Sequence, residues 1–385
     1  MKFNGYLRSD GKVGTRNYLA VIPTSICSAT VAFNIASQIP QAVALPNQHG
    51  CCQIGADHEQ TINTLIGLGK NPNVAAVLVV GLGCEGVPID KVAKNIATTG
   101  KKTETVIIQE CGGTLKATEK GIKIAAKMAR EISLIKAQEF PISELCLAVE
   151  CGGSDFTSGL ASNPAVGVAS DLLIEAGGTS ILSETTEFIG AEHILARRAK
   201  TPMIGEKIIS LVQNCELRAK QLNVDIRGGQ PTPGNIAGGI SSIEEKSLGC
   251  IYKAGNSPIQ GVLVYAETPK EKGLYIMDTP GQDIESITGM LAGGANIVIF
   301  TTGRGTPTGS PLAPVIKITA NSETYSKMFD NIDLDTSSII SGGKSIDQVA
   351  KEIFQEIIDV ASGKLTKAES LGHKEFGIYK IAPTF

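Results

Sequence analysis

Five short apolar runs, each ending in small or reactive residues, restrict the fold of this 385-residue chain more than any other feature. They are YLAVIPTSIC at 18–27, NVAAVLVVGLGCE at 73–85, TETVIIQECGGT at 103–114, ELCLAVECGGSD at 144–155 and ANIVIFTTGRGT at 295–306. Their apolar residues are largely consecutive, which predicts strands that are buried on both faces. Strands of this kind form parallel sheets covered by helices.

The segments between these runs have helical periodicity. They are 58–68, 89–98, 115–137 and 191–213. The alternation predicts an α/β fold with parallel or mixed sheets covered by helices, a Rossmann-like topology and two or more subdomains. We expect an N-terminal α/β domain at 1–140 and a C-terminal α/β domain at 141–385 with glycine-rich substrate loops. The stretch 223–239, rich in glycine and proline, is predicted to be such a loop rather than a linker.

Charge and hydropathy argue against several classes of protein. A net charge of -3 without a basic cluster disfavours nucleic acid as a partner. The N-terminus lacks the apolar core of a signal peptide, and apolar runs such as 74–82 fall well short of the roughly 20 residues that span a bilayer. We therefore expect a cytoplasmic protein that binds a small molecule, has no membrane contact and keeps its nine cysteines reduced.

Seven cysteines are predicted to lie in loops or at strand ends. They are Cys27, Cys51, Cys52, Cys84, Cys111, Cys151 and Cys250. Thiolates are soft ligands for iron, zinc or iron–sulfur clusters, and clusters commonly take cysteines from separate loops. No CxxC pair fixes their spacing, so the alternative that they are small buried side chains without a metal stays open. His58, at a predicted helix start, is a candidate base or ligand.

A second set of polar residues is suited to binding oxygen-rich ligands. Arg304 lies between glycines after a buried strand, where its guanidinium can pair with a carboxylate or a phosphate. Asn235 and Lys246 follow the glycine-rich loop, and Arg16 and Asn17 lie in TRNY. Each of them alone is also explained as a capping or surface residue. The chain has no P-loop, dinucleotide or GxSxG motif, which disfavours ATP, NAD and serine-hydrolase chemistry.

Long motifs from about residue 5 to 345 carry a family resemblance. They are DGKVGTRNYLAVIPTSIC, HGCCQIGADH, NPNVAAVLVVGLGCE, ECGGSDFTSGLASNPAVG, SETTEFIGAEH, TPGNIAGGISSIEEKSLGC, MDTPG and FTTGRGTPTG. In these stretches the chain resembles the altronate dehydratase family, which includes galactarate dehydratase and, more distantly, the large subunit of sulfolactate sulfo-lyase. The resemblance implies an iron-dependent hydro-lyase that converts a sugar acid to a 2-keto-3-deoxy acid.

The resemblance also suggests roles for individual residues. The predicted metal ligands are Cys27, Cys51, Cys84 and Cys151, and the metal is iron, as Fe2+ or an iron–sulfur cluster, with Mn2+ as the alternative. The predicted substrate-binding residues are Arg16, Asn17, Ser154, Asp155, Asn235 and Arg304. His58 or Lys246 is predicted to be the catalytic base.

The resemblance leaves the substrate and the assembly open. His58 matches altronate enzymes, whereas GTRNY and MDTPG look more like galactarate enzymes. The sulfo-lyase branch lacks thiols corresponding to Cys51, Cys84 and Cys250, which favours a dehydratase. Two alternatives stay open, a sulfo-lyase large subunit acting on sulfolactate and a non-catalytic subunit that binds a sugar acid or a metal. Because the family's sugar-acid enzymes carry a small N-terminal domain, we expect a small subunit or domain supplied in trans, and a homo-oligomer.

Overall fold

The computed structural model describes all 385 residues, and its first half contains a parallel sheet with helices on both faces. The strands are β1 Lys2–Leu7, β2 Val13–Gly14, β3 Tyr18–Pro23, β4 Ala42–Ala44, β5 Val74–Gly81, β6 Lys102–Ile107 and β7 Gln138–Pro141. The helices are α1 Ile26–Ala36, α2 Gly55–Lys70, α3 Ile89–Ala97, α4 Ile108–Cys111 and α5 Thr114–Ile132. Strands β1, β2 and β7 form a separate, small antiparallel sheet.

The second half contains a larger parallel sheet. Its strands are β8 Cys146–Cys151, β9 Thr179–Leu182, β10 Ile259–Leu263, β11 Gly273–Met277, β12 Ile297–Thr301, β13 Val315–Thr319 and β14 Leu334–Asp335. Its helices are α6 Asn163–Glu175, α7 Glu192–Arg197, α8 Pro202–Gln221, α9 Pro233–Ala237, α10 Ile243–Ile251, α11 Asp283–Ala292, α12 Ser322–Lys327, α13 Ile346–Ala361 and α14 Lys367–Leu371. A π-helical turn at Ser158–Ser162 leads directly into α6.

Both main sheets have the strand order of doubly wound folds. The smaller has the order β4-β3-β5-β6 and the larger β10-β11-β9-β8-β12-β13-β14, with all neighbours parallel. In each sheet the first strand in sequence, β3 or β8, lies in the interior and later strands add on both of its sides. The α/β fold predicted from the sequence is confirmed, and ligand sites are expected beyond the carboxyl ends of β3 and β8.

The two sheets share one layer of helices. Strand β5 is buried along its whole length because Val77 and Val79 pack into the core between the sheets while Leu78 and Val80 pack under α1 and α5. Helices α2 and α11 lie in the shared layer in close contact, and a Cβ on Gly67 would collide with the Ala292 carbonyl oxygen. Helices α6 and α13 cover the far face of the larger sheet.

Buried asparagines join the amino ends of the two sheets. Asn73 precedes β5, and its side-chain oxygen accepts from the Thr15 backbone N–H at 2.8 Å. Its side-chain nitrogen donates to two carbonyls of the larger sheet, Asn296 O at 3.0 Å before β12 and Leu312 O at 2.9 Å before β13. Asn71 donates to two further carbonyls in the α11–β12 region, each at 2.8 Å. The carboxyl ends of both sheets consequently lie along the same edge of the molecule.

The predicted division at residue 140 stays a prediction. The strands of the smaller sheet all precede this position and those of the larger sheet all follow it, but both sheets contribute to one core between them. The C-terminal tail also packs on the first half, where Gln48 Nε2 donates to Ile378 O at 3.0 Å and Phe385 N donates to Cys52 O at 3.0 Å.

None of the helices combines the length and apolarity needed to cross a membrane.

Candidate active site

Three of the four predicted metal cysteines lie in neighbouring segments at the carboxyl edge of the smaller sheet, one in the first turn of α1 and two on loops. They are Cys27, Cys51 and Cys84, and all three are exposed. The Ile26 N–H donates to His49 O at 2.9 Å, which joins the start of α1 to the Cys51 loop, and the Val87 N–H donates to Gly50 O at 3.2 Å, which joins the Cys51 loop to the Cys84 loop. The three thiols are not all within 4.8 Å of one another.

His58 lies beside the same loops, in the first turn of α2. Its Nε2 is 3.1 Å from the carbonyl oxygen of Gly86, in the loop that carries Cys84. If Nε2 carries the proton and donates to this carbonyl, the lone pair is on Nδ1, which is then able to accept a proton. The Cys84 loop is itself fixed by Glu85, whose carboxylate accepts from Thr24 Oγ1 at 2.5 Å.

The fourth predicted ligand, Cys151, belongs to a different group in the larger sheet. It ends β8, and its sulfur lies 3.2 Å from Cys250 Sγ and 3.0 Å from Glu187 Oε2. These three side chains are buried, and their ligand atoms lie within 4.8 Å of one another. The four cysteines predicted to bind metal are therefore divided between two sheets, and Cys250 and Glu187 join Cys151 instead.

Two lysines bind the carboxylate of Glu187. Lys246 Nζ is 2.8 Å from Oε1, and the fully buried Lys253 Nζ is 3.4 Å from Oε2 and 2.6 Å from Glu184 Oε2. Burial alone would raise the pKa of Glu187, but the two ammonium charges outweigh it and lower the pKa to about 2. Burial would likewise lower the pKa of Lys246, but Glu187 and Cys250 reverse this effect and raise it. Both groups are held in their charged forms.

The two thiols of this group have raised pKa values. The hydrogen bond with Cys250 and then burial raise the pKa of Cys151 well above its usual value. The hydrogen bond to Cys151 would lower the pKa of Cys250, but burial and the nearby Glu187 outweigh it and raise the pKa. A metal cation is the kind of partner that would convert these thiols to thiolates.

A second group consists only of acids, two of them buried and one half-buried. Glu150, Glu184 and Asp283 bring carboxylate oxygens within 4.8 Å of one another, next to the thiol group. Burial and the neighbouring Glu184 raise the pKa of Asp283 to about 7, and burial is also the largest cause of the raised pKa values of Glu150 and Glu184. Glu184 has a left-handed backbone with φ of 71°, and its N–H donates to Thr279 Oγ1 at 2.7 Å. Such local strain is commonly found at functional sites.

A pocket of about 260 Å³ opens beside the thiol group. Its polar lining includes Ser154, Asp155, Lys246 and Cys250, so three of the residues predicted from the sequence meet there. Its rim also has exposed apolar side chains. They are Phe156, Leu160, Leu248 and Tyr252.

Several predicted substrate residues organise the loops around this pocket. Asp155 is buried, and its Oδ1 accepts from Thr157 Oγ1 at 2.7 Å while its Oδ2 accepts from Asn321 Nδ2 at 2.9 Å. Asn235 is also buried and donates to the Ser154 carbonyl at 2.8 Å. Arg304 is exposed on the neighbouring loop, where its backbone N–H binds Gly153 O and its guanidinium makes no hydrogen bond within the chain.

Arg16 and Asn17 lie elsewhere, at the amino end of β3. All five N–H groups of the Arg16 guanidinium are already used, two of them by the Glu369 carboxylate at 2.7 and 2.8 Å and the others by three backbone carbonyls. The amide of Asn17 binds Arg8 and the Ile132 carbonyl. The structure therefore does not bring these two residues to the edge where the other candidates lie, because they join elements at the opposite edge.

Five charged residues of the two groups were not predicted from the sequence. They are the buried Glu150, Glu184, Glu187 and Lys253 and the half-buried Asp283. The available signal was an acid inside an otherwise apolar strand, at Glu150, and two glutamates three residues apart in SETTEF. Buried charges of this kind are rare unless they are paired or functional.

The fold and this concentration of titratable groups at β8 define a small-molecule enzyme of the doubly wound α/β class. Two family models match the chain, the D-galactarate/altronate dehydratase C-terminal domain at residues 142–384 and the D-galactarate dehydratase/altronate hydrolase second domain at residues 5–133. The chain therefore belongs to the D-galactarate/altronate dehydratase family.

Relatives agree with this assignment. The chain is 37% identical to the (2R)-sulfolactate sulfo-lyase subunit beta of Chromohalobacter salexigens, over 98% of this chain and 97% of that protein. It is 35% identical to altronate dehydratase of Bacillus subtilis, over 99% of this chain and 78% of that protein. It is 33% identical to the L-threo-forming galactarate dehydratase of Escherichia coli, over 99% and 77%. These relatives support an enzyme of the lyase type rather than a non-catalytic binding subunit.

Proposed function

We propose that the chain is the large catalytic subunit of a metal-dependent hydro-lyase that removes water from an altronate- or galactarate-like sugar acid. The product is a 2-keto-3-deoxy acid. The pocket beside β8 carries this proposal, because it brings Lys246, Cys250 and Ser154 together in a chain whose relatives include altronate and galactarate dehydratases. The reaction removes a proton next to a carboxylate and expels a hydroxyl group, so it requires a base and a group that stabilises negative charge.

Iron fits the donor set of the thiol group. Cys151 and Cys250 offer soft sulfur ligands and Glu187 offers a carboxylate, and all three converge within 4.8 Å. When bound, the metal supplies Lewis-acid polarisation of substrate oxygens. Cys27, Cys51 and Cys84, predicted together with Cys151 as metal ligands, stay predictions at the carboxyl edge of the smaller sheet.

The remaining roles belong to side chains of this chain. Lys246, held by Glu187 and by Gln230 at 2.9 Å, is the proposed donor of a proton or a hydrogen bond to the departing hydroxyl group. His58 is the proposed base and accepts the proton at Nδ1. Arg304 is the proposed anchor of a substrate carboxylate, since its guanidinium has no partner within the chain and suits bidentate pairing.

An anaerobic screen of hexonates and hexarates tests the reaction. The purified chain is supplied with Fe2+, with and without a co-expressed small subunit, and formation of a 2-keto-3-deoxy acid is measured. We expect turnover of at least one sugar acid. No product from any of them under either condition would refute the dehydratase assignment.

Two matched variants test the base. His58→Gln should lower kcat by about 10²- to 10⁴-fold, the range typical of a general base. His193→Gln is the control, because His193 lies on α7, after a strand of the larger sheet. Equal activity in both variants would exclude His58 as the base.

The second candidate function is sulfite elimination from sulfolactate. It is favoured by one observation, namely that the sulfo-lyase relative matches this chain over nearly its whole length. Sulfite release from (2R)-sulfolactate, without dehydration of sugar acids, would select this alternative.

The assembly is part of the same proposal. A small subunit supplied in trans is supported by the subunit name of the sulfo-lyase relative and by the exposed apolar rim of the pocket. Adding the small subunit should raise turnover until it is equimolar with this chain, and turnover independent of it would contradict the proposal. A homo-oligomer and a cytoplasmic location stay predictions.

A further inference from the structure

The acid group beside the thiols contains two buried carboxylates that are each held from one side only. Glu150 Oε2 accepts from Ser183 Oγ at 3.0 Å and from Ser286 Oγ at 2.8 Å. Glu184 Oε2 accepts from Lys253 Nζ at 2.6 Å and from the Cys151 N–H at 3.0 Å. The other oxygen of each, Oε1, is buried and accepts no hydrogen bond from the rest of the chain, and the two acids are close enough for a proton shared between them to be their only link. A carboxylate oriented by contacts to one oxygen, with the other bare, is arranged like a metal ligand with its supporting contacts.

The third acid comes from a different element and is directed at the same place. Asp283 begins α11, and a Cβ added to Gly152 would lie only 2.5 Å from Asp283 Oδ2. Glycine at position 152, directly after β8, therefore leaves room for this carboxylate beside Glu150 and Glu184.

The three acids repel one another in a poorly solvated place. Burial and the neighbouring acids raise the pKa values of Glu150, Glu184 and Asp283, so without a cation protons neutralise part of their charge. A divalent cation bound by their oxygens would take the place of these protons.

We propose that Glu150, Glu184 and Asp283 form a site for a hard divalent cation, Mg2+ or Mn2+, separate from the iron proposed at the thiols. The site offers oxygen ligands only, which suits these cations, and water would complete their coordination. Lys253 lies between the two groups and binds Glu184 and Glu187 at once, so its ammonium separates the oxygen site from the sulfur site. The proposal does not depend on the reaction proposed above.

The test uses the metal-free full chain and Mn2+ alone, with bound and free Mn2+ distinguished by electron paramagnetic resonance. We expect one Mn2+ per chain, with affinity lowered at least about ten-fold by Glu150→Gln or Asp283→Asn. Cys250→Ser, in the thiol group, and Glu285→Gln, an acid two residues along α11 from Asp283, should leave the affinity unchanged. No sugar acid is present, so the result is independent of the proposed reaction.

A measurement on the unaltered chain covers the case in which these variants do not fold. Mn2+ should raise its Tm, and Ser286→Ala, a smaller change that frees Glu150 Oε2 on one side, should reduce that rise. Two results would overturn the proposal. In the first, the chain binds no Mn2+; in the second, binding is lost in Cys250→Ser but kept in Glu150→Gln. Either result would leave the acids as a pair that shares a proton.

Discussion

Replacing Arg16 separates its structural role from the substrate-binding role predicted from the sequence. The Arg16 and Glu369 side chains are only 8% and 10% exposed, and two hydrogen bonds of 2.7 and 2.8 Å join them. Arg16→Met leaves the Glu369 carboxylate buried without its cation, a loss that costs about 3 to 5 kcal/mol for such pairs. It also removes the donors to three backbone carbonyls. We expect the free energy of unfolding to fall by at least this amount.

Urea unfolding, followed by circular dichroism, measures this loss. The double variant Arg16→Met with Glu369→Met is the control, because removing both charges avoids the unpaired carboxylate and should recover about 2 kcal/mol or more. Activity in the folded variant is measured in parallel. A loss of stability below about 1 kcal/mol together with a raised KM would refute the structural role and restore Arg16 as a substrate ligand.

Three further outcomes follow from burial and packing. Burial lowers the pKa of Lys101 from 10.5 to about 7. Between these pH values the unfolded chain binds more protons than the folded one, so the free energy of unfolding rises with pH. Urea unfolding of Lys101→Met should show a smaller rise across this range. Gly67→Ala should lower the Tm, because its Cβ would meet the Ala292 carbonyl of α11. A thiol reagent should label four exposed cysteines in the folded chain and three buried ones only after unfolding; early labelling of Cys151 would contradict the burial of its group.

The strands were predictable wherever an apolar run was long enough to be buried on both faces. The five runs correspond to β3, β5, β6, β8 and β12. Strands β10 and β11 were not predicted, since IQGVL and GLYIM are short and are separated by a loop of charged residues and proline. The predicted helix at 191–213 is two helices, because Thr201 caps a new helix by accepting from Ile204 N and Pro202 begins it.

The chemistry of the site was predictable by residue type but not by location. Cys27 and Cys151 both end strands in the sequence, and nothing in their spacing shows that they belong to different sheets. The acids were harder to recognise, because a glutamate such as Glu184 is ordinarily a surface residue. Its burial depends on Lys253, which is 69 residues away and comes close only when the larger sheet has formed.

The buried charges around β8 argue for selection by function rather than by stability. Paired buried ions contribute little net stability, and apolar residues of similar volume often replace them without loss. This chain instead assembles its buried charged groups from β8, the segment after β9, α10, the turn at Tyr252–Ala254 and the start of α11. The two groups together are complete only when all five elements are in place. This region is costly to desolvate, it is complex to assemble, and it opens to a pocket through Lys246. Binding of the proposed metals and substrate best explains why the chain keeps it.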